Sequence, residues 1–162
     1  MKYLHLIPLL LLSGCFSRPG DKTGLEGKPL PSFTLQLTDS TRYFNTVQIA
    51  EGKPVVLFYL SPHCPYCRAE LKDILDDIDK MQNMQFYFVT SFPLSDMVHL
   101  YNEYKLSKYP NITVGKDTAN FLPDYFKTAF VPYTAIYNKN KKLEKSYTGR
   151  IYTKQILSAV ED

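Results

Sequence analysis

The chain has 162 residues, 44% hydrophobic and 22% charged, with a formal net charge of +3. That length suits one domain with short appendages, and the apolar fraction is enough for a packed core, which excludes a disordered or fibrous protein. Nineteen basic and sixteen acidic side chains are mixed along most of the chain, which gives no footing for nucleic-acid binding.

The first fourteen residues read as separate from the fold. Lys2 supplies a short positive start, and Leu4 to Leu12 form an apolar run broken only by His5 and Pro8. The run is too short for a membrane-spanning helix but has the length of a signal-peptide core. Leu12-Ser13-Gly14-Cys15 follows directly. A branched apolar residue, two small residues and a cysteine in that place resemble the lipobox of bacterial lipoproteins. The resemblance implies that residues 1–14 are a signal peptide and that Cys15 becomes a lipidated N-terminus held to a membrane. A plain secretory signal with a chance cysteine is the alternative. Lipid on Cys15 would leave Cys64 and Cys67 as a self-contained pair among the three cysteines. Residues 15–28 carry Pro19, Gly20, Gly24, Gly27 and several charges without apolar periodicity, so they are expected to form a flexible tether ahead of a domain spanning 29–162.

Within that domain, Phe33, Leu35 and Leu37 alternate with polar residues, the period of a half-buried strand. Asp39-Ser40 turns the chain, and Arg42 to Ile49 return as a second strand or irregular segment. Val55 to Leu60 is continuous, β-branched and aromatic, which predicts a strand buried on both faces. Beyond Cys67 the period becomes helical: Leu71, Ile74, Leu75, Ile78 and Met81 share a stripe. Phe86 to Thr90 predicts a strand. A helix capped by Ser95 should carry Met97, Leu100, Tyr101 and Tyr104 on one face and end by Tyr109-Pro110. Ile112 to Val114 could be a short extended piece. Phe121 to Phe126 suggests one more helix, with Pro123 tolerable only in its first turn. A hairpin follows, from Val131 to Tyr137 and back through Leu143 to Tyr147, and a last helix runs from about Tyr152 to Val160. The lysines of that hairpin, Lys139, Lys141, Lys142 and Lys145, read as a solvated face. Early alternation and a late hairpin predict an α/β fold with a mixed sheet covered by helices on both faces.

The chemistry-bearing segment is Cys64-Pro65-Tyr66-Cys67, set where a buried strand passes into a helix. Unpaired backbone N–H groups and the positive end of the helix dipole at Cys64 favour the thiolate, the reactive form. Pro65 presets φ for a helix start and stiffens the loop. Two intervening residues bring Cys67 within disulfide reach, so Cys64 can attack a substrate disulfide and Cys67 can resolve the mixed disulfide. A purely structural disulfide across so short a loop would stabilise little. A zinc site lacks ligands, with only His63 nearby, and haem attachment would need histidine where Arg68 stands.

These residues resemble the thioredoxin superfamily, and specifically the TlpA/ResA-type thiol–disulfide oxidoreductases of bacterial envelopes. Pro31-Ser32-Phe33-Thr34-Leu35 is similar to that group's opening strand, and Gly52-Lys53-Pro54-Val55-Val56-Leu57-Phe58 to the strand before its active site. Cys64 to Glu70 is similar to its cysteine pair, basic residue and glutamate, and Val131-Pro132-Tyr133-Thr134 to its cis-proline loop. The resemblance implies a thioredoxin-like three-layer sandwich with an N-terminal β extension and a helical insertion before the cis-proline loop. It also implies a redox disulfide between Cys64 and Cys67, with Cys64 as nucleophile and Glu70 exchanging protons with the thiols. Pro65, Tyr66, Val131 and Pro132 would meet a bound peptide, Pro132 in cis presenting the Val131 backbone to it.

The implied partners are thiol or disulfide proteins and an upstream thiol reductant or oxidant, with a monomer expected. A dithiol cycle needs no bound cofactor. His63 replaces the tryptophan common before the first cysteine, and Phe58 occupies the place of thioredoxin's buried acid. Two rivals remain open. A thiol peroxidase would place a hydroxyl where Ser61 stands but a proline where Leu57 stands. A non-catalytic binding lipoprotein could use the same fold as a scaffold.

Overall fold

In the computed structural model residues 18–161 are described, so the expected signal segment and Cys15 lie outside the described residues. Strands β1 (Thr34–Leu37) and β2 (Tyr43–Asn45) form a hairpin, followed by β3 (Val55–Tyr59) and helix α1 (Pro65–Asp76). Next come β4 (Gln85–Thr90), α2 (Leu94–Glu103), β5 (Ile112–Asp117) and α3 (Phe121–Phe126). The hairpin β6 (Tyr133–Tyr137) and β7 (Leu143–Thr148) precedes α4 (Thr153–Ser158). All seven strands join one sheet in the order β2-β1-β5-β4-β3-β6-β7. The β3–β4 and β4–β5 pairs are parallel, and the rest are antiparallel.

The sheet is mixed because its middle is built by helical crossovers and its two ends by hairpins, which only antiparallel pairing can close. Every residue of β3 is buried, as its unbroken apolar run predicts. Val56, Phe58 and Leu60 face one layer with Leu71 and Ile74 of α1, Met97 and Leu100 of α2, and Ile156 of α4. Val55, Leu57 and Tyr59 face the other, with Leu122 and Phe126 of α3 and Phe33 and Leu35 of the N-terminal extension. Helices on both faces of a mixed sheet give the expected thioredoxin-like sandwich. Among the described residues no helix is long and apolar enough to cross a membrane.

Three boundaries differ from the sequence expectation. Helix α1 stops at Asp76, and the chain continues through Asp77 as a separate 3-10 turn over Ile78–Met81. Helix α2 starts one residue before Ser95, behind Pro93, with no side-chain cap, and ends where Lys105 takes a left-handed conformation. The extended piece at Ile112–Val114 grows into a six-residue strand that pairs with both β4 and β1. The insertion before the cis-proline loop is therefore a helix-and-strand unit. Gly115 makes this strand possible: a Cβ there would sit 2.9 Å from the Leu35 Cβ and 3.0 Å from the Gln36 carbonyl oxygen.

The described part of the segment read as a tether has contacts that its composition did not announce. Asp21 N–H donates to the Ser146 carbonyl at 2.7 Å, Gly27 N–H to that of Leu143 at 2.8 Å, and Leu30 N–H to that of Lys141 at 2.8 Å. Leu143 N–H returns a bond to the Lys28 carbonyl at 2.9 Å. Residues 18–30 thus lie as a strap along β7, covering an edge that would otherwise offer unpaired backbone groups.

Candidate active site

The end of β3 hands the chain to a tight turn. Leu60 N–H is still tied to the Val89 carbonyl at 2.9 Å, and Cys64 N–H donates to that of Ser61 at 3.1 Å. Cys64 is the N-cap of α1, in extended conformation, with Pro65 as the first helical residue. Its sulfur accepts the Cys67 N–H at 3.4 Å, so a free backbone donor of the first helical turn is satisfied by sulfur. Both cysteines are free thiols, Cys64 half-buried and Cys67 buried.

Opposite them the Val131–Pro132 peptide is cis. The Val131 carbonyl oxygen lies 3.9 Å from the Cys64 sulfur, and the Pro132 carbonyl is held by the Gly149 N–H at 2.7 Å. Pro132 is buried while Val131 keeps partial exposure. Pro65 and Tyr66 are exposed, Tyr66 at 66%, and Phe130 beside Val131 is exposed at 67%. Of the residues the sequence picked out for peptide contact, Val131 thus lies against the outer sulfur, Pro65 and Tyr66 follow it exposed at the start of α1, and Pro132 is buried next to Val131.

Cys67 is 1% exposed. Burial pushes its thiol well above the ordinary cysteine range, and its hydrogen bond with the Cys64 side chain and the Glu70 charge add to the rise. Such a sulfur holds its proton until something takes it.

Glu70 lies one helical turn further on and is itself 1% exposed. Its carboxylate accepts the Thr134 hydroxyl at 2.7 Å and the Ile151 N–H at 3.0 Å. Burial nevertheless lifts its pKa from 4.5 to about 7, against the lowering effect of those two bonds and of Arg150. A group poised there can accept or give a proton near neutral pH. Arg150 in turn is fixed to Asp73 of α1 at 2.7 Å.

The loop before Cys64 is tied to α2. The His63 Nε2 and the Asp96 carboxylate are 2.9 Å apart, and this bond holds the Asp96 carboxyl below the usual carboxylate range. Arg68 pairs with Glu103, donates to the Pro62 carbonyl at 3.3 Å and lies over the Tyr104 ring at 5.3 Å. Among the described residues no group of three or more His, Cys, Asp or Glu is arranged to hold a metal ion.

Sequence reasoning missed Thr134, Ile151, Asp96 and Glu103 as supports of the site. Nothing in their own neighbourhoods marks those four, whereas Glu70, singled out from the sequence, shares the α1 face with Cys67 and Ile74 at helical spacing, which accounts for its burial.

A 27%-identical uncharacterized protein of Haemophilus influenzae aligns over 75% of this chain and 81% of its own length. The thiol:disulfide interchange protein DsbE of Escherichia coli K12 is 40% identical over 55 residues, which is 31% of this chain and 30% of DsbE. Among solved structures, a secreted disulfide oxidoreductase of Mycobacterium tuberculosis, homologous to DsbE, superposes with a TM-score of 0.65 at 18% identity. That superposition covers 80% of this chain and 94% of the other. The sequence pattern of the AhpC/TSA family matches residues 27–157, and the protein belongs to that family, with a thioredoxin-like fold.

Proposed function

We propose that the protein is a thiol–disulfide oxidoreductase of the bacterial envelope, exchanging electrons with partner proteins through Cys64 and Cys67. The observation that carries this reading is the pairing of a half-exposed Cys64, at a helix start, with a buried Cys67 above the buried Glu70. The shared segment with DsbE, named for thiol:disulfide interchange, supports it. A structural disulfide would have no use for a buried carboxylate with a pKa near neutrality beneath it.

In the reducing direction, the Cys64 thiolate attacks one sulfur of a partner disulfide. A mixed disulfide forms, and the partner's other sulfur leaves as a thiolate that takes a proton from solvent. The Cys67 thiol then gives its proton to Glu70, and its sulfur attacks Cys64, expelling the partner's remaining thiolate. Two electrons pass to the partner, and the Cys64–Cys67 disulfide is left behind for an upstream thiol donor to reduce. Running the same steps backwards oxidises a partner dithiol. Pro65, Tyr66 and Val131 frame the approach to Cys64, with Pro132 holding Val131 in place. Lipid on Cys15 would keep the enzyme at a membrane, facing the periplasm, as a monomer.

The test is the reduction potential of the pair, with exchange activity measured for Cys64→Ser and Cys67→Ser. The expected outcome is loss of turnover in both, with a partner trapped as a mixed disulfide in Cys67→Ser. A potential below about −300 mV together with undiminished activity in either variant rejects the reading.

A further inference from the structure

The strap on β7 has a direction. Its C-terminal end, Leu30, is bonded to Lys141 in the hairpin turn, and Gly27 and Lys28 exchange bonds with Leu143. Asp21 is bonded to Ser146. At the other end the Arg18 guanidinium donates to the Thr148 carbonyl at 2.7 Å, and the Thr148 N–H donates to the Asp21 carboxylate at 2.6 Å. Thr148 pairs with Tyr133, and Tyr133 with Tyr59. Those are the strand ends from which the cis-proline loop and the Cys64 turn spring. Followed backwards, the chain therefore leaves the domain at the dithiol end of the sheet. The opposite end, at Asn138–Lys141, is a strand length away, about 20 Å. Gly20 lets the strap lie this close, since a Cβ there would meet the Lys145 Cβ and the Ser146 carbonyl oxygen at 3.3 Å.

We propose that the strap orients the enzyme on its membrane, so that the Cys64 end of the domain faces the bilayer and exchanges with proteins whose cysteines are held close to that surface. The inference rests on the lipidation of Cys15 and on the dithiol reading above. Cys15 precedes Arg18 by three residues, which is at most about 10 Å of extended chain. A free tether over 15–28 could reach about 50 Å, more than the diameter of ~35–40 Å expected for a domain of this size. Such a tether would let any face meet the membrane. The strapped chain removes that freedom and leaves only the short leash at the dithiol end.

The experiment uses the mature lipidated chain carrying Cys67→Ser, so that Cys64 alone is read. Its alkylation is timed with N-ethylmaleimide and with a maleimide on a 5-kDa polyethylene glycol. Vesicles of phosphatidylcholine and phosphatidylglycerol are compared with detergent micelles. The bulky reagent should slow about tenfold on vesicles, as for a face open to solvent about a tenth of the time, while the small reagent is unchanged. A spacer of fifteen Gly and Ser residues inserted between Ser17 and Arg18 should restore the bulky reagent's rate. Equal rates on vesicles and micelles overturn the proposal, as does a slowing that survives the spacer, or a mass spectrum without acyl groups on Cys15. Exchange with a peptide disulfide, measured in micelles on the chain with both cysteines, tests the redox reading separately. Activity there without shielding on vesicles sinks only the orientation, whereas shielding without activity sinks only the redox reading.

Discussion

The two layers on either side of the sheet are built from alternate residues of the same strands, yet they differ in what they bury. One encloses Cys67 and the ionisable Glu70 beneath α1. The other is closed by rings, Phe33 stacking on Phe121 at 5.2 Å and Phe126 packing on Tyr133 at 5.0 Å, and its buried carboxylate, Asp117, only holds the start of α3 by accepting the Leu122 N–H at 2.8 Å. Adjacent residues of β3 thus serve a reactive layer and an inert one. The sheet between them separates chemistry from packing, so each layer can be perturbed while the other is watched.

The strongest contrast comes from a sulfur in one layer and a leucine in the other. Cys64→Ser should lower disulfide exchange at least about a thousand-fold, as loss of a nucleophile does, and leave thermal stability nearly unchanged. Leu57→Ala, in the inert layer, should cost about 3 kcal/mol in urea denaturation and leave the reduction potential where it was. A shift in potential from Leu57→Ala would show that the layers are coupled after all.

Glu70 tests the reactive layer by pH. Its carboxyl holds a proton more tightly in the folded chain, with a pKa of about 7 against an ordinary 4.5. Stability is then fullest below pH 4.5 and declines as pH rises through about 7, by about 3 kcal/mol in all. Glu70→Gln should flatten that dependence, because the amide oxygen can still accept the Ile151 N–H while no charge forms. It should also remove a pH step near neutrality from the resolution of the mixed disulfide. A wild-type stability that rises between pH 5 and 7 would contradict the assignment.

The smallest effect belongs to the exposed rim. Phe130→Ala should reduce exchange with a peptide disulfide by a few fold, on the order of 1 kcal/mol of lost contact, without altering reaction with a small disulfide such as oxidised hydroxyethanethiol. Equal losses for both would move Phe130 from peptide contact to support of the cis-proline loop.

Much of this was legible in the residues. The unbroken run Val55–Leu60 and the switch to helical period after Cys67 placed the cysteine pair at a strand-to-helix junction, and the family resemblance pointed to a cis bond at Val131-Pro132. What escaped was set at long range. Ile112–Val114 carries too few apolar residues to announce a full strand, and it becomes one because β4 pairs with it along five residues while Gly115 lets β1 approach on the other side. The strap has a linker's composition, but its backbone finds the unpaired edge of β7. Glu70 was ambiguous because Thr134 and Ile151, its two donors, lie more than sixty residues away in the chain.

Strand β3 pairs along all five of its residues with β4 on one side and β6 on the other. In hydrogen-exchange terms, the amides beneath Cys64 should be released only by global unfolding. The reacting sulfur is thus mounted at the end of the slowest-opening strand of the molecule, so that partners meet it in one fixed place.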